Sequence, residues 1–249
     1  GWPGMFILGA LPALLVLYIR SRVPESRAWT ARRERLGSEP LLRGLAHHWP
    51  LVGYAVVLMP AFNFFSHGTQ DLYPTFLGAQ RGFAVGTVSM IAIIYNIGAI
   101  CGGLFFGQLS SRIGRRRAIA LAALLALPVL PFWAFSHHAV VIAATAFIMQ
   151  FMVQGAWGVV PVHLNELSPD GVRATFPGVV YQLGNLIASS NATLQAMLAV
   201  HHGGKAHPDY AFALTLVCGL TAVALVLLAW FGPERRDVRM DAVAGSGGA

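Results

Sequence analysis

Gly107-Gln-Leu-Ser-Ser-Arg-Ile-Gly-Arg-Arg-Arg117 sets four arginines and two glycines between apolar stretches at 86–109 and 118–135. So short a polar break leaves room only for a tight, glycine-rich turn with fixed cations. Each flanking stretch approaches the roughly 20 apolar residues that a helix needs to cross the hydrocarbon of a bilayer.

Outward from this turn the pattern repeats. Seven apolar stretches run over approximately 1–19, 50–71, 86–109, 118–135, 139–163, 174–200 and 210–231. Hydrophobic residues make up 56% of the chain and charged ones 11%, whereas about a quarter of a soluble domain is charged. That imbalance excludes a soluble globular class. Glycine and proline are scattered through the stretches, as membrane helices tolerate, and none shows the alternating period of a membrane barrel.

The net charge of +7 does not point to nucleic acid, because its distribution follows the stretches. Arg20, Arg22, Arg27, Arg32, Arg33, Arg35 and Arg43 fill the connection after the first. Arg112, Arg115, Arg116 and Arg117 follow the third, Arg173 the fifth, and Arg235, Arg236 and Arg239 the seventh, while the alternate loops hold only Arg81 and Lys205. Such asymmetry places the basic loops and the C-terminus in the cytoplasm of a multi-pass protein of the plasma membrane. The expected organisation is a helix at 1–20, a cytoplasmic linker at 21–49, six helices at 50–232 and a cytoplasmic tail at 233–249. One helix, a long basic linker and six helices are what remains when the first half of a two-times-six arrangement is removed. The chain therefore reads as a fragment that lacks an N-terminal half.

The second stretch ends in Asn63-Phe-Phe-Ser66-His67-Gly-Thr69-Gln70-Asp71. Asn63, His67 and Asp71 follow one another at four-residue spacing, which stacks an amide, an imidazole and a carboxylate along one helical face. An ionised group in mid-membrane costs about 2.5–3.5 kcal/mol, so such a face suits a watery path or a polar solute. A snorkelling helix end is the plainer alternative, since Asp71 lies near the boundary. Gln182 and Asn185 in the sixth stretch share a face and suit a carboxylate or hydroxyl, or else a bond between helices. Gln150 and Gln154 in the fifth share a face too, as helix–helix ties or cavity lining; Tyr95 and Asn96 carry less weight.

Three patterns resemble the major facilitator superfamily. Gly107 to Arg117 is similar to its signature loop, with Ser111 where an Asp is usual. Pro161-Val-His-Leu-Asn-Glu166-Leu-Ser-Pro169-Asp-Gly-Val-Arg173-Ala resembles its Glu-Leu-x-Pro-x-x-x-Arg-Ala/Gly segment, and Pro24-Glu25-Ser26 a motif that follows the helix before the linker. The resemblance implies an all-α polytopic membrane protein, here the C-terminal six-helix half with the helix before it. It further implies a cytoplasmic gate at Gly107, Arg112, Gly114, Arg115, Arg116, Glu166 and Arg173. In that gate Glu166 pairs with Arg173 or with the arginines at 112–117.

Asn63-x-x-Ser66-His67-x-Thr69-Gln70-Asp71-x-x-x-Thr75 is similar, position for position, to the motif of lactate/pyruvate:proton symporters within the sialate:proton symporter family. The resemblance implies uptake of a short monocarboxylate with a proton. It places Asn63, Ser66, His67, Thr69, Gln70, Asp71 and Thr75 on the substrate and proton pathway, joined by the Gln182-x-x-Asn185 pair. His67 and Asp71 are then a coupled titrating pair, since imidazole ordinarily changes charge near pH 6.5, at about the working range. One proton per monoanion makes the transfer electroneutral.

No stretch carries Arg or Lys in its middle, so the absent half is expected to supply the cation that a carboxylate wants; this chain alone should not transport. The expected partners are a small organic acid anion, a proton and the bilayer. Glycine pairs 98/102 and 103/107 read as seams for close helix approach. Cys101 and Cys218 read as packing residues. The histidine pairs at 47–48, 137–138 and 201–202 read as interfacial, with neither a metal set nor a cofactor implied. A symporter of a larger acid such as sialate or an aromatic acid is the near alternative; a membrane sensor or a membrane enzyme is the distant one.

Overall fold

The structure, a computed structural model, describes residues 46–169, 172 and 175–234, together with positions 4, 9, 10, 12, 15, 16, 18, 19 and 21. Those isolated early positions are helical. Arg173, the Pro24-Glu25-Ser26 segment, most of the linker and the tail beyond 234 lie outside the described residues.

All regular structure among the described residues is helical. Helix α1 is Trp49–Gln70, α2 Val85–Ile113, α3 Arg115–Phe135, α4 Ala139–Leu167, α5 Phe176–Ala188, α6 Asn191–Gly203 and α7 Tyr210–Phe231. Five helical spans among the described residues are long and apolar enough to cross a membrane, the first of them α1 with its continuation to Gln80. Enclosing every backbone donor and acceptor in a helix is what hydrocarbon demands.

The expected sixth span is two helices. Its ladder lapses after Ser189, whose N–H still donates to the Asn185 carbonyl at 2.9 Å, and the hydroxyls of Ser189 and Ser190 donate to the carbonyls of Leu186 at 2.7 Å and Ile187 at 2.9 Å. Serine back-bonding competes with the helical ladder and bends it. The exit from α1 is also irregular: after a bend at Asp71 and Leu72 the chain makes a helical turn, Tyr73–Thr75, then a π-helical one, Phe76–Gln80. Proline shapes α3, where Leu127–Val129 tightens to a 3₁₀ turn.

The most extensive helix pair is α2 with α4, and glycine explains it. A Cβ on Gly98 would lie 2.4 Å from the carbonyl oxygen of Phe147, and one on Gly102 only 2.0 Å from that of Phe151. Gly158 answers from α4, where a Cβ would stand 2.7 Å from the Gly103 carbonyl oxygen. Gly98, Gly102 and Gly158 therefore do serve close approach; the expected pair 103/107 does not by its own side-chain positions, since a Cβ on Gly103 would come no nearer than 3.7 Å to a neighbour and one on Gly107 would meet nothing within 4 Å. Helix α1 packs on α5 and α7, and α3 on α4 and α7. Phe62, Phe65, Phe76, Phe106, Trp133 and Phe176 fill the core.

Candidate functional site

Helix α1 presents its polar residues to three different surroundings. Four residues advance a helix by about 400°, so a column at that spacing drifts by roughly 40° per step. Asn63 accordingly falls under α5, while Asp71, two steps on, clears it. Asn63 is 1% exposed, and neither its amide nitrogen nor its oxygen has a partner. It lies against Gly184 of α5, where a Cβ would come 2.9 Å from its Nδ2. His67 and Asp71 are exposed, with Nδ1 of the imidazole 3.2 Å from Oδ1 of the carboxylate. Thr75 is exposed on the turn beyond.

Ser66, Thr69 and Gln70 face α4. Ser66 Oγ accepts from Gln154 Nε2 at 3.0 Å and from Gln70 Nε2 at 3.2 Å. Gln150 Nε2 donates to the Thr69 hydroxyl at 2.9 Å, and Gln70 Nε2 also reaches Gln150 Oε1 at 3.2 Å. The Thr69 hydroxyl donates in turn to the Ser66 carbonyl at 2.9 Å. Three motif residues and two α4 amides thus form one network, of a kind that contributes about 0.6–2 kcal/mol per bond within a bilayer. The network fixes the rotation of α1 and hence the direction in which His67 and Asp71 point.

On α5, Gln182 is exposed and Asn185 partly so, and Asn185 Nδ2 donates to Gln182 Oε1 at 3.2 Å. Gly184 between them sits on α1 while the two amides face outward. Such a pair offers an acceptor and donors to a solute on a surface from which α1 is turned away.

The arginine-bearing end is a separate cluster. Gly114 adopts φ +100°, a left-handed value that favours glycine, and so turns α2 sharply into α3. The Arg115 guanidinium donates from Nε and Nη2 to Glu166 Oε1 at 3.1 and 3.0 Å, and from Nη1 to Ser110 Oγ at 2.7 Å. Its backbone N–H donates to Glu234 Oε1 at 3.0 Å. Arg116 donates to the carbonyls of Ala229, at 2.7 Å, and Trp230. Of the pairings expected for Glu166, the structure contains that with Arg115; Arg112 lies in the same turn.

At the opposite end Asp209 caps α7, accepting from the Phe212 N–H at 3.1 Å and from Gln80 Nε2 at 3.0 Å. Nδ1 of His202 lies 3.1 Å from its other oxygen, and the imidazole stacks on Phe212 at 3.9 Å. Partial burial works to raise the Asp209 carboxyl, but the bonds from Gln80, Phe212 and His202 outweigh it and hold the group below its usual range.

Of the two roles open to Gln150 and Gln154 in the sequence, helix–helix tie or cavity lining, both residues take the first; Gln195, unmarked in the sequence, is a further tie, its Nε2 donating to the Gly68 carbonyl at 2.9 Å. An amide alone in an apolar stretch was the available signal. Also missed were Glu234, in the expected tail, and His163, three residues before Glu166, which is buried with both ring nitrogens unpaired. Among the described residues no group of His, Cys, Asp and Glu is arranged to hold a metal.

The family profile that matches the chain is that of the Major Facilitator Superfamily, over residues 1–190 and 72–246. Among curated proteins, the carboxylic acid transporter protein homolog of Saccharomyces cerevisiae is 31% identical, over 94% of this chain and 43% of that protein. The sialic acid transporter NanX of Escherichia coli is 27% identical, over 82% of this chain and 50% of its own. The citrate-proton symporter of Klebsiella pneumoniae is 25% identical, over 89% and 51%. The chain spans about half the length of these relatives.

Proposed function

The chain belongs to the major facilitator superfamily, and from that premise we propose that it works within a proton-coupled symporter of a short monocarboxylate such as lactate or pyruvate. In this reading it forms the C-terminal six-helix portion of a transporter that rocks between outward- and inward-open states around a site near mid-membrane. The arginine-bearing end faces the cytoplasm of the plasma membrane. There the Arg115–Glu166 pair and its neighbours, with Arg112 and Arg173, serve as the gate.

The observation that carries the reading is the His67–Asp71 pair. It is exposed on a face of α1 that the α4 amides leave unused, with an imidazole nitrogen 3.2 Å from a carboxylate oxygen. An imidazole nitrogen and a carboxylate oxygen at that distance are within reach of one hydrogen bond, along which a proton can be passed. Gln182 and Asn185 supply uncharged donors and an acceptor for the acid and its substituent. The yeast, Escherichia coli and Klebsiella relatives are named for organic acids, and the last for a proton as well. That agreement supports the organic-acid class; the motif from Asn63 to Thr75 supports the narrower choice of a monocarboxylate.

The test is uptake of labelled lactate, pyruvate, acetate, citrate and sialate across pH by the protein made from its full coding sequence. Lactate and pyruvate should lead, with uptake rising as the outside is acidified, and His67→Ala should flatten that dependence. Preference for citrate or sialate would move the assignment to a larger acid. An unchanged pH profile in His67→Ala would remove the pair from proton coupling.

A further inference from the structure

We infer that α5 is a lid on Asn63: the amide is sealed beneath Gly184 in this conformation and is delivered to the solute when α5 tilts away from α1 about Ser189 and Ser190. The inference rests on the transport reading above and concerns how its binding site opens.

Four observations carry it. Asn63 is 1% exposed with both polar atoms unpaired, and its cover is built from this chain's own α5, so no outside group reaches it without movement. A buried donor or acceptor without a partner is costly, which brings any conformation that satisfies it closer in free energy. The seal depends on glycine, because a Cβ at 184 would stand 2.7 Å from Met59 Cβ and 2.9 Å from Asn63 Nδ2. The covering helix is short and ends where two serine hydroxyls replace ladder bonds, at Leu186 and Ile187, the kind of place where helices kink. Finally, Gln182 and Asn185 flank the sealing glycine on the same helix and now bond each other at 3.2 Å. A tilt of α5 frees the Asn63 amide and shifts that pair in one motion, so a carboxylate or hydroxyl that bonds Asn63 selects the open form.

The reporter is Met59→Cys, fully buried beneath the same glycine, in the full-length protein with Cys101→Ser and with Cys218 retained. Cys218 is itself fully buried and reports on loss of the fold. Alkylation of each cysteine by N-ethylmaleimide is followed by mass spectrometry. Lactate at saturation should speed alkylation at 59 by roughly ten- to a hundredfold, the change expected when a state populated at about 1–10% becomes dominant, with Cys218 unchanged. Gly184→Ala should give the fast rate without any solute. Asn63→Leu should raise the unfolding temperature in detergent while abolishing the lactate effect. Unaltered alkylation at 59 while Trp157 fluorescence reports lactate binding would overturn the lid. Absence of binding by any acid would instead overturn the transport reading, and the Gly184→Ala comparison, which needs no solute, would still decide the lid: a slow rate there sinks it.

Discussion

The backbone N–H of Arg115 donates to Glu234 Oε1 at 3.0 Å, so a carboxylate just beyond α7 closes the first turn of α3. A helix start leaves four N–H groups unpaired and carries a partial positive charge that a carboxylate offsets. Glu234→Ala should therefore lower stability by about 0.5–1 kcal/mol, read as a lower unfolding temperature in detergent. Gly114→Ala should cost more, since φ is +100° and the new Cβ would press on Glu234 Oε1 at 2.6 Å. A left-handed residue other than glycine costs about 1–2 kcal/mol, and pairing it with Glu234→Ala relieves only the contact.

The Arg115–Glu166 pair is 19% and 13% exposed at its two side chains. Removing one partner of so enclosed a pair leaves the other desolvated, at a cost of about 3 kcal/mol. Glu166→Gln should thus destabilise more than Glu234→Ala. The exchange Arg115→Glu with Glu166→Arg should recover part of the loss, as measured by thermal unfolding of all three variants.

Glycines 102 and 107 make a paired comparison. Gly102→Ala drives a Cβ against backbone that cannot yield, 2.0 Å from the Phe151 oxygen, and should reduce stability by about 2 kcal/mol or more. Gly107→Ala meets nothing within 4 Å and should be neutral or stabilise by up to about 1 kcal/mol through helix propensity. Equal effects at both sites would disprove the glycine seam.

Gln150→Leu removes the bond that the Thr69 hydroxyl accepts, leaving it its donation to the Ser66 carbonyl, and one bond of Gln70. A loss of about 1–2 kcal/mol is expected, together with a fall in uptake by the transporter proposed above, because α1 is freed to rotate. Gln154→Leu should do less, since Ser66 keeps its bond from Gln70.

The Asp209 carboxyl is held below its usual value of 3.8. Its folded state binds protons less readily than the unfolded chain, so its contribution is present above about pH 4 and is lost as pH falls through the depressed value. Asp209→Asn should therefore blunt the fall in unfolding temperature on acidification below that point. His202→Ala should blunt it partly, by removing one of the bonds that lower the group.

The spans were legible because length and apolarity report directly on a bilayer: the seventh was read at 210–231 and is Tyr210–Phe231. The break at Ser189 and Ser190 was not, although Ser189, Ser190, Asn191 and Thr193 make a polar patch there, because such side chains also occur within unbroken membrane helices, where they bond to neighbouring helices. In the site, spacing showed that Asn63, His67 and Asp71 lie near one another along α1. It could not show that a drift of roughly 80° over eight residues separates a buried amide from an exposed carboxylate. That division is set by which helix lies alongside, a fact of tertiary packing. Gln150 and Gln154 offered only a shared face; their partners on α1 lie 80 or more positions away in the chain.

The contact of Gly98 and Gly102 with the α4 backbone sets those two long helices backbone to backbone. They are expected to move as a single girder, and a pair of spin labels bridging them should report one narrow distance in every conformation the protein adopts. Such a pair is a fixed ruler, against which displacements elsewhere in the molecule can be measured.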